Sequence, residues 1–225
     1  MLPLMHKYQH LQHDGQIIDL PVGKVVCIGQ NYQDHIAEMS SITAPEALFF
    51  IKPSTAICPI TPFISIPSDQ GAVHNEIEIA VLIKSELKNA NERQVAAAIW
   101  GYSLALDLTL RDRQAELKKL GRPWEIAKGF DNACPVAGFI ASSDIADGQK
   151  LKFSLQVNGN ARQTGDASHM IRTITGLISE MSQHFTLQPG DMVLTGTPAG
   201  VGPLHKGDQL QVQFDDFFTL QTQVS

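Results

Sequence analysis

Three isolated acids stand out for the apolar company they keep. Glu76 and Glu78 interrupt the run from Val73 to Ile83, and Asp107 closes the run from Gly101 through Leu104 and Leu106. Both runs are rich enough in β-branched residues and leucine to read as largely buried strands. Side chains alternate along a strand, which puts His74, Glu76 and Glu78 on one face and Asn75, Ile77 and Ile79 on the other. Carboxylates crowded on an apolar strand repel each other and are costly to desolvate. They are tolerated where the face is wet, where bases pair with them, or where a cation sits between them. Lone acids on two apolar strands suit a hard cation bound through oxygen. A wet edge strand with a solvated glutamate pair explains them equally well, and these residues alone leave both readings open.

Other residues offer bases and donors. Asn31 is placed to cap a short helix over about 32–39, on which His35 and Glu38 share a face. A carboxylate beside an imidazole fixes its tautomer and raises its basicity, as a general base requires, although two solvent-facing polar residues fit the same spacing. Ser40 then begins a loop, so the helix suits a mobile flap. Arg111 and Gln114 lie early in a helix over 109–120 that stops at Gly121. They can clamp a substrate carboxylate or form an ordinary ion pair. Lys128 stands among small residues in the largely apolar stretch 123–135. If buried it needs a carboxylate partner, which the three acids supply. Residues 195–202 form a glycine-rich loop after a strand, without the Gly-Lys-Ser/Thr ending of a P-loop or the spacing of a Rossmann fingerprint. Its N–H groups, with Thr195, Gly196 and Thr197, suit a small carboxylate.

The elements that must position these residues follow from the chain order. His6, His10 and His13 would line one helix face, but Asp14-Gly15 is a hairpin turn, so the expectation is an N-terminal hairpin with polar decoration. Strands are expected at 24–29 and 48–52, where Lys52 either presents a cation or marks the strand end, and a capped helix at 89–100. A strand over 151–157 turns at Asn158-Gly159. Met170, Ile171, Ile174, Leu177, Ile178, Met181 and Phe185 make one apolar helix stripe, read as core. Alternating strands at 207–214 and 217–223 close the chain. No repeat or low-complexity linker appears, so 1–225 reads as a single domain with 1–20 as an N-terminal hairpin extension.

Composition narrows the class. Hydrophobic content of 43% with 18% charged residues suits a folded chain with a proper core. A net charge of −6 without a basic cluster argues against nucleic-acid or acidic-membrane partners. The apolar runs are strand-length, and the N-terminus lacks a signal peptide's apolar core and cleavage site. Cys27, Cys58 and Cys134 are odd in number and widely spaced, which suggests free thiols and a cytoplasmic location.

Taken together, these pieces resemble the fumarylacetoacetate hydrolase family over nearly the whole chain. The matching segments are Gly29 to Tyr32 with His35 and Glu38, Phe50 to Pro53, His74-Glu76-Glu78, Gly101-Tyr102 and Asp107 to Asp112 with Gln114. They continue through Ala127 to Phe130, Val157 to Gly159 and Gly190 to Gly202; one departure is Gly129, where relatives often carry Ser or Ala. The resemblance is to the single-domain branch of acylpyruvate hydrolases, oxaloacetate decarboxylases or tautomerases, and hydroxymuconate isomerase/decarboxylases of aromatic catabolism. It implies an α+β fold, a mixed β-sheet roll with short peripheral helices and a mobile N-terminal lid helix. It implies Mg²⁺ or Mn²⁺ on Glu76, Glu78 and Asp107, with Lys128 close by and His35–Glu38 as a base pair on the lid. It also implies a homodimer. The chemistry that follows is C–C hydrolysis of acylpyruvate-like 2-oxo acids through an enolate, with Arg111, Gln114, Thr195, Gly196 and Thr197 gripping carboxylates. Isomerisation, or decarboxylation or tautomerisation of oxaloacetate, uses the same site without a hydrolytic water. A metal- or carboxylate-binding protein without turnover is the non-enzymatic alternative.

Overall fold

The structure is a computed structural model that describes residues 8–38 and 46–225. His6, Met39 and the loop expected from Ser40 lie outside those residues, apart from its last position, Glu46.

The first half of the described chain runs β1 (Val25–Ile28), α1 (Gln33–Glu38), β2 (Phe49–Lys52), β3 (Ile57–Pro59), β4 (Phe63–Ile64), β5 (Val73–Asn75), β6 (Ile77–Ile83), α2 (Glu92–Ala98) and β7 (Ile99–Leu106). Next come β8 (Thr109–Leu110), α3 (Arg111–Lys119), α4 (Glu125–Lys128), β9 (Cys134–Val136) and β10 (Ile140–Ala141). The remainder is β11 (Lys152–Val157), β12 (Asn160–Asp166), α5 (Ile174–His184), β13 (Met192–Leu194), β14 (Gly202–Pro203), β15 (Gln209–Phe214) and β16 (Phe218–Val224).

Three sheets result. The largest has the order β2-β1-β13-β6-β7-β9-β3, with β10 on β7; the second is β12-β11-β15-β16-β4; the third joins β14, β5 and β8. Parallel pairs (β1 with β13, β3 with β9) mix with antiparallel ones, so this is the mixed-sheet α+β architecture with few, short helices. Strand β6 is buried on both faces, which explains its unbroken apolar run. Ile77, Ile79, Val81 and Ile83 face the larger core with α5, whose stripe of Ile174, Leu177, Ile178 and Met181 packs there. Ala80 and Leu82 face a smaller core with Val25, Cys27, Ala105, Cys134 and Leu194. All three cysteines are free; Cys27 and Cys134 are fully buried. Burial raises both of those thiols, and pushes Cys58 up to about 12. Among the described residues no helix is long and apolar enough to cross a membrane.

Several local expectations hold. Asn91 caps α2 in a reciprocal capping box with Gln94. Gly15 turns the N-terminal hairpin with φ +88°, and Asn158 and Gly159 take the positive φ that a tight hairpin turn requires. Others need correction. The stretch expected as one strand breaks at Glu76 into β5 and β6, which belong to different sheets, so His74 does not continue the face of Glu78. Met170 and Ile171 precede α5 rather than belonging to it, because Thr173 caps that helix through Gly176 N. The stretch 123–135 is not merely a linker but contains the turn α4. His10 is not polar decoration: it is wholly buried, its Nε2 donating to Gly190 O at 3.1 Å, its ring edge-on to Tyr8 and Phe139. Burial lowers its pKa.

Candidate active site

Register brings the three acids together. In the antiparallel β6–β7 pair Ile77 lies opposite Leu106, and Asp107 N donates to Glu76 O at 2.8 Å, so Asp107 leaves β7 where Glu76 precedes β6. Ligand oxygens of Glu76, Glu78 and Asp107 lie within 4.8 Å of one another, and all three residues are buried. The wet-edge reading therefore fails: bases pair with the cluster, and its oxygens lie close enough together to share a cation.

The cations come from three elements. Lys128, at the end of α4, is buried and donates to Glu76 Oε2 at 2.8 Å, Asp107 Oδ2 at 2.6 Å and Thr109 Oγ1 at 2.7 Å. Arg111, the first residue of α3, pairs through Nη2 with Glu76 Oε1 and donates through Nη1 to Gln114 Oε1 at 2.7 Å. Its Nε is buried and has no partner, which leaves a donor for an incoming anion. Lys52, the last residue of β2, has no solvent exposure; its ammonium donates to the carbonyls of Leu108, Lys128 and Ala133 and lies 2.7 Å from Asp107 Oδ1. That contact is off the hydrogen-bond direction, so Asp107 Oδ1 remains a buried acceptor without a hydrogen bond.

These surroundings pull the acids apart. Burial alone would raise Glu76, but the Lys128 and Arg111 cations outweigh it and hold that carboxyl far below the usual range. Burial raises Glu78 well above the usual range, and the neighbouring Asp107 and Glu76 charges push it further. Burial opposes the Lys128 charge, yet Asp107 and Glu76 outweigh it and raise the lysine. A hard oxygen donor set, an Asp107 oxygen without a hydrogen bond and an acid destabilised by its fellow acids all fit a divalent cation such as Mg²⁺ or Mn²⁺.

His35 is buried on α1, and its Nδ1 lies 3.3 Å from Glu38 Oε2, leaving Nε2 free. Glu38 in turn accepts from Gly200 N at 3.0 Å, so the glycine-rich loop steadies the pair. His35, Glu76, Arg111, Gln114 and Lys128 line one recess of about 20 Å³, closed by Gly29, Gln30, Ile36, Lys118 and Trp124. Thr195, Gly196 and Thr197 are turned toward strand β6. Gly196 N donates to Glu78 Oε2 at 2.6 Å, Thr195 Oγ1 to Ile79 O at 3.1 Å and Thr197 Oγ1 to Ile77 O at 2.8 Å. At Gly129 a Cβ would sit 3.0 Å from Glu125 O and Pro53 Cδ, a tight fit that a small side chain meets only with slight adjustment.

Sequence reasoning left Lys52 undecided and passed over Gln163, whose amide ties the loop to β6. The signal for Lys52 was its place in an apolar strand, Phe49 to Ile51, where a lysine rarely sits without a partner. For Gln163 no local signal existed.

Known proteins resemble the chain over nearly its whole length. The profile of the fumarylacetoacetate (FAA) hydrolase C-terminal family matches residues 24–225. The chain belongs to that family of enzymes. It is 54% identical over 209 residues to the oxaloacetate tautomerase YcgM of Escherichia coli (strain K12), covering 92% of this chain and 95% of that one. A crystal structure of a fumarylacetoacetate hydrolase family protein from Yersinia pestis CO92 superposes with a TM-score of 0.95 at 52% identity, covering 97% of this chain and 100% of that one. The fumarylpyruvate hydrolase of Pseudomonas aeruginosa, solved with Mn²⁺ and pyruvate, gives a TM-score of 0.90 at 34% identity, with 97% and 95% covered.

Proposed function

We propose that this protein is a divalent-metal-dependent oxaloacetate tautomerase, interconverting the enol and keto forms of a small 2-oxo diacid. The observation that carries the reading is a recess where Lys128 and the carboxylate-backed His35 meet Glu76, the edge of a buried three-acid cluster, in a chain 54% identical to a tautomerase of that name. Hydrolysis of a C–C bond, expected first from the sequence, becomes the second reading, supported by the likeness to the Mn²⁺- and pyruvate-bound fumarylpyruvate hydrolase. A recess of about 20 Å³ holds roughly one water, so its walls must part for the substrate of either reading. Sequence identity favours the first, at 54% to the tautomerase against 34% to the hydrolase.

Glu76, Glu78 and Asp107 would hold Mg²⁺ or Mn²⁺, which when bound supplies Lewis-acid stabilisation of negative charge on the 2-oxygen. His35 Nε2 takes the proton from C3 of the keto form, and Glu38 on Nδ1 fixes the tautomer that can do so. The electron pair released from C3–H moves to the 2-oxygen, which then takes up a proton to give the enol; the reverse path returns the proton to C3. Lys128 has its three donors engaged by Glu76, Asp107 and Thr109, so it acts through its charge and by fixing the two acids. Arg111 Nε and the Gln114 amide grip a substrate carboxylate. Thr195, Gly196 and Thr197, expected to share that task, are engaged by Ile79, Glu78 and Ile77 and brace the acids' strand instead. The same proposal includes α1 as a lid that moves with substrate and a homodimer, as the family resemblance implies, and a cytoplasmic site of action, as the free thiols suggest.

The test follows the loss of enol absorbance of oxaloacetate with metal-stripped protein, then with Mg²⁺ or Mn²⁺ restored, beside His35→Gln and an acetylpyruvate assay. Metal-dependent tautomerisation, slowed about 10²- to 10⁴-fold in His35→Gln, supports the proposal. Metal-dependent release of pyruvate from acetylpyruvate without any effect on oxaloacetate replaces it with the hydrolase reading. Loss of oxaloacetate as CO₂ replaces it with decarboxylation.

A further inference from the structure

Gln163 lies on β12, in a different sheet from the acids, and is 2% exposed. Every polar group of its amide is engaged. Oε1 accepts from Asn75 Nδ2 at 2.7 Å and from Ile77 N at 3.0 Å. Nε2 donates to Thr197 Oγ1 at 2.8 Å and to Pro198 O at 2.9 Å. Ile77 is the residue between Glu76 and Glu78, and Thr197 Oγ1 donates its own hydrogen bond to Ile77 O at 2.8 Å. Gln163 thus holds both the N–H and, through Thr197, the carbonyl of the one residue that separates two acids of the cluster.

The same amide reaches the other half of the site. Pro198 and Thr197 begin the loop that ends at Gly200, whose N–H holds Glu38, which holds His35. Gly200 has φ +100°, and a Cβ there would overlap the carbonyl of Arg162, the neighbour of Gln163. Asn75 Nδ2 also contacts Gly200 O at 3.4 Å. One buried glutamine therefore sits where the acids' strand, the glycine-rich loop and the acid–base arm meet.

We propose that Gln163 is a positioning residue that sets the spacing of Glu76 and Glu78 and couples it to the His35–Glu38 pair. It touches neither cation nor substrate and acts through Ile77 and the loop. The inference rests on the functional reading above only for its kinetic half. Outer partners of a metal site typically change affinity or activity by about 10- to 100-fold when removed.

The experiment compares full-length wild type with Gln163→Met, which fills similar volume without hydrogen bonds, and Gln163→Glu. The second variant keeps an acceptor and, protonated in this buried setting, one donor. Leu210→Val, a core change on β15, which does not pair with β12, serves as the stability control. The readouts are Mn²⁺ affinity by calorimetry, kcat and KM for oxaloacetate, and thermal melting. The expected result for Gln163→Met is Mn²⁺ binding weakened about tenfold or more, with kcat reduced more than KM is changed, and partial recovery in Gln163→Glu. A Gln163→Met protein that melts lower but matches Leu210→Val in Mn²⁺ affinity and kcat overturns the proposal, for its role is then only structural. Should Gln163→Met fail to fold, Asn75→Leu, which removes one donor to Gln163, must show the same shift in weaker form, and an unchanged Asn75→Leu also overturns it. Wild type that binds Mn²⁺ but leaves oxaloacetate untouched defeats the functional reading, while the Mn²⁺ affinities still decide the role of Gln163. Wild type without Mn²⁺ affinity overturns both.

Discussion

Lys52 and Lys128 are both buried ammonium groups beside Asp107, yet they are held differently. Lys128 spends its donors on side chains of the site, whereas Lys52 spends them on the backbone carbonyls of Leu108, Lys128 and Ala133. Removing Lys52 takes from buried Asp107 one of its two ammonium partners and leaves buried carbonyls short of a donor, a costly polar loss in a protein interior. Lys52→Met is expected to destabilise the fold by about 3–5 kcal/mol, seen as a lower urea midpoint at unchanged slope. A midpoint equal to wild type would show that the pair contributes nothing net. His10 gives a pH dependence of stability. Its folded-state pKa is lowered by burial, so both folded and unfolded chains carry it neutral above the ordinary histidine value of about 6.5. As pH falls below that value the unfolded chain takes up a proton that the folded chain refuses, and stability drops by at most about 1.4 kcal/mol per pH unit. His10→Phe should flatten the difference between urea midpoints at neutral and mildly acidic pH, and an undiminished difference would assign it to other groups.

At the scale of elements, the hydrophobic pattern showed most strands and the caps and turns at Asn91, Asn158 and Gly159, because these obey rules within a few residues. The break at Glu76 was not legible. Val73 to Ile83 is apolar throughout, and what divides it is pairing of β5 with β8 and β14 while β6 pairs with β7 and β13. Such partners lie far along the chain and leave no mark in local periodicity. His10 was misread for a similar reason, since its burial depends on Gly190 and Phe139. The acids were legible as a group because charge in an apolar run is conspicuous, but whether they were wet or paired depended on Lys52, Lys128 and Arg111. The glycine-rich loop shows how an element's backbone serves the site. Gly200→Ala is expected to cost about 1–3 kcal/mol of backbone strain, before the overlap with Arg162 O, and to reduce kcat by loosening Glu38. Equal stability and kcat would show that the loop adapts freely.

At the scale of the whole molecule, the site lies where the large sheet, the small β14-β5-β8 sheet and a glutamine from the third sheet converge. No sheet holds the complete constellation, so cooperative folding and assembly of the site are one event. The buried thiols turn that union into something that can be timed. Cys27 on β1 and Cys134 on β9 pack in the small core against Ala80 and Leu82 of β6. Neither is nucleophilic while it stays there, because burial keeps its proton in place. An aromatic disulfide reagent should therefore modify the half-buried Cys58 first and reach the other two only when the large sheet opens. Their labelling rate is a natural clock for that opening, slowed by added Mn²⁺ if the acids bind it. If Cys27 and Cys134 react as fast as Cys58, the sheet that carries the acids breathes independently of the rest.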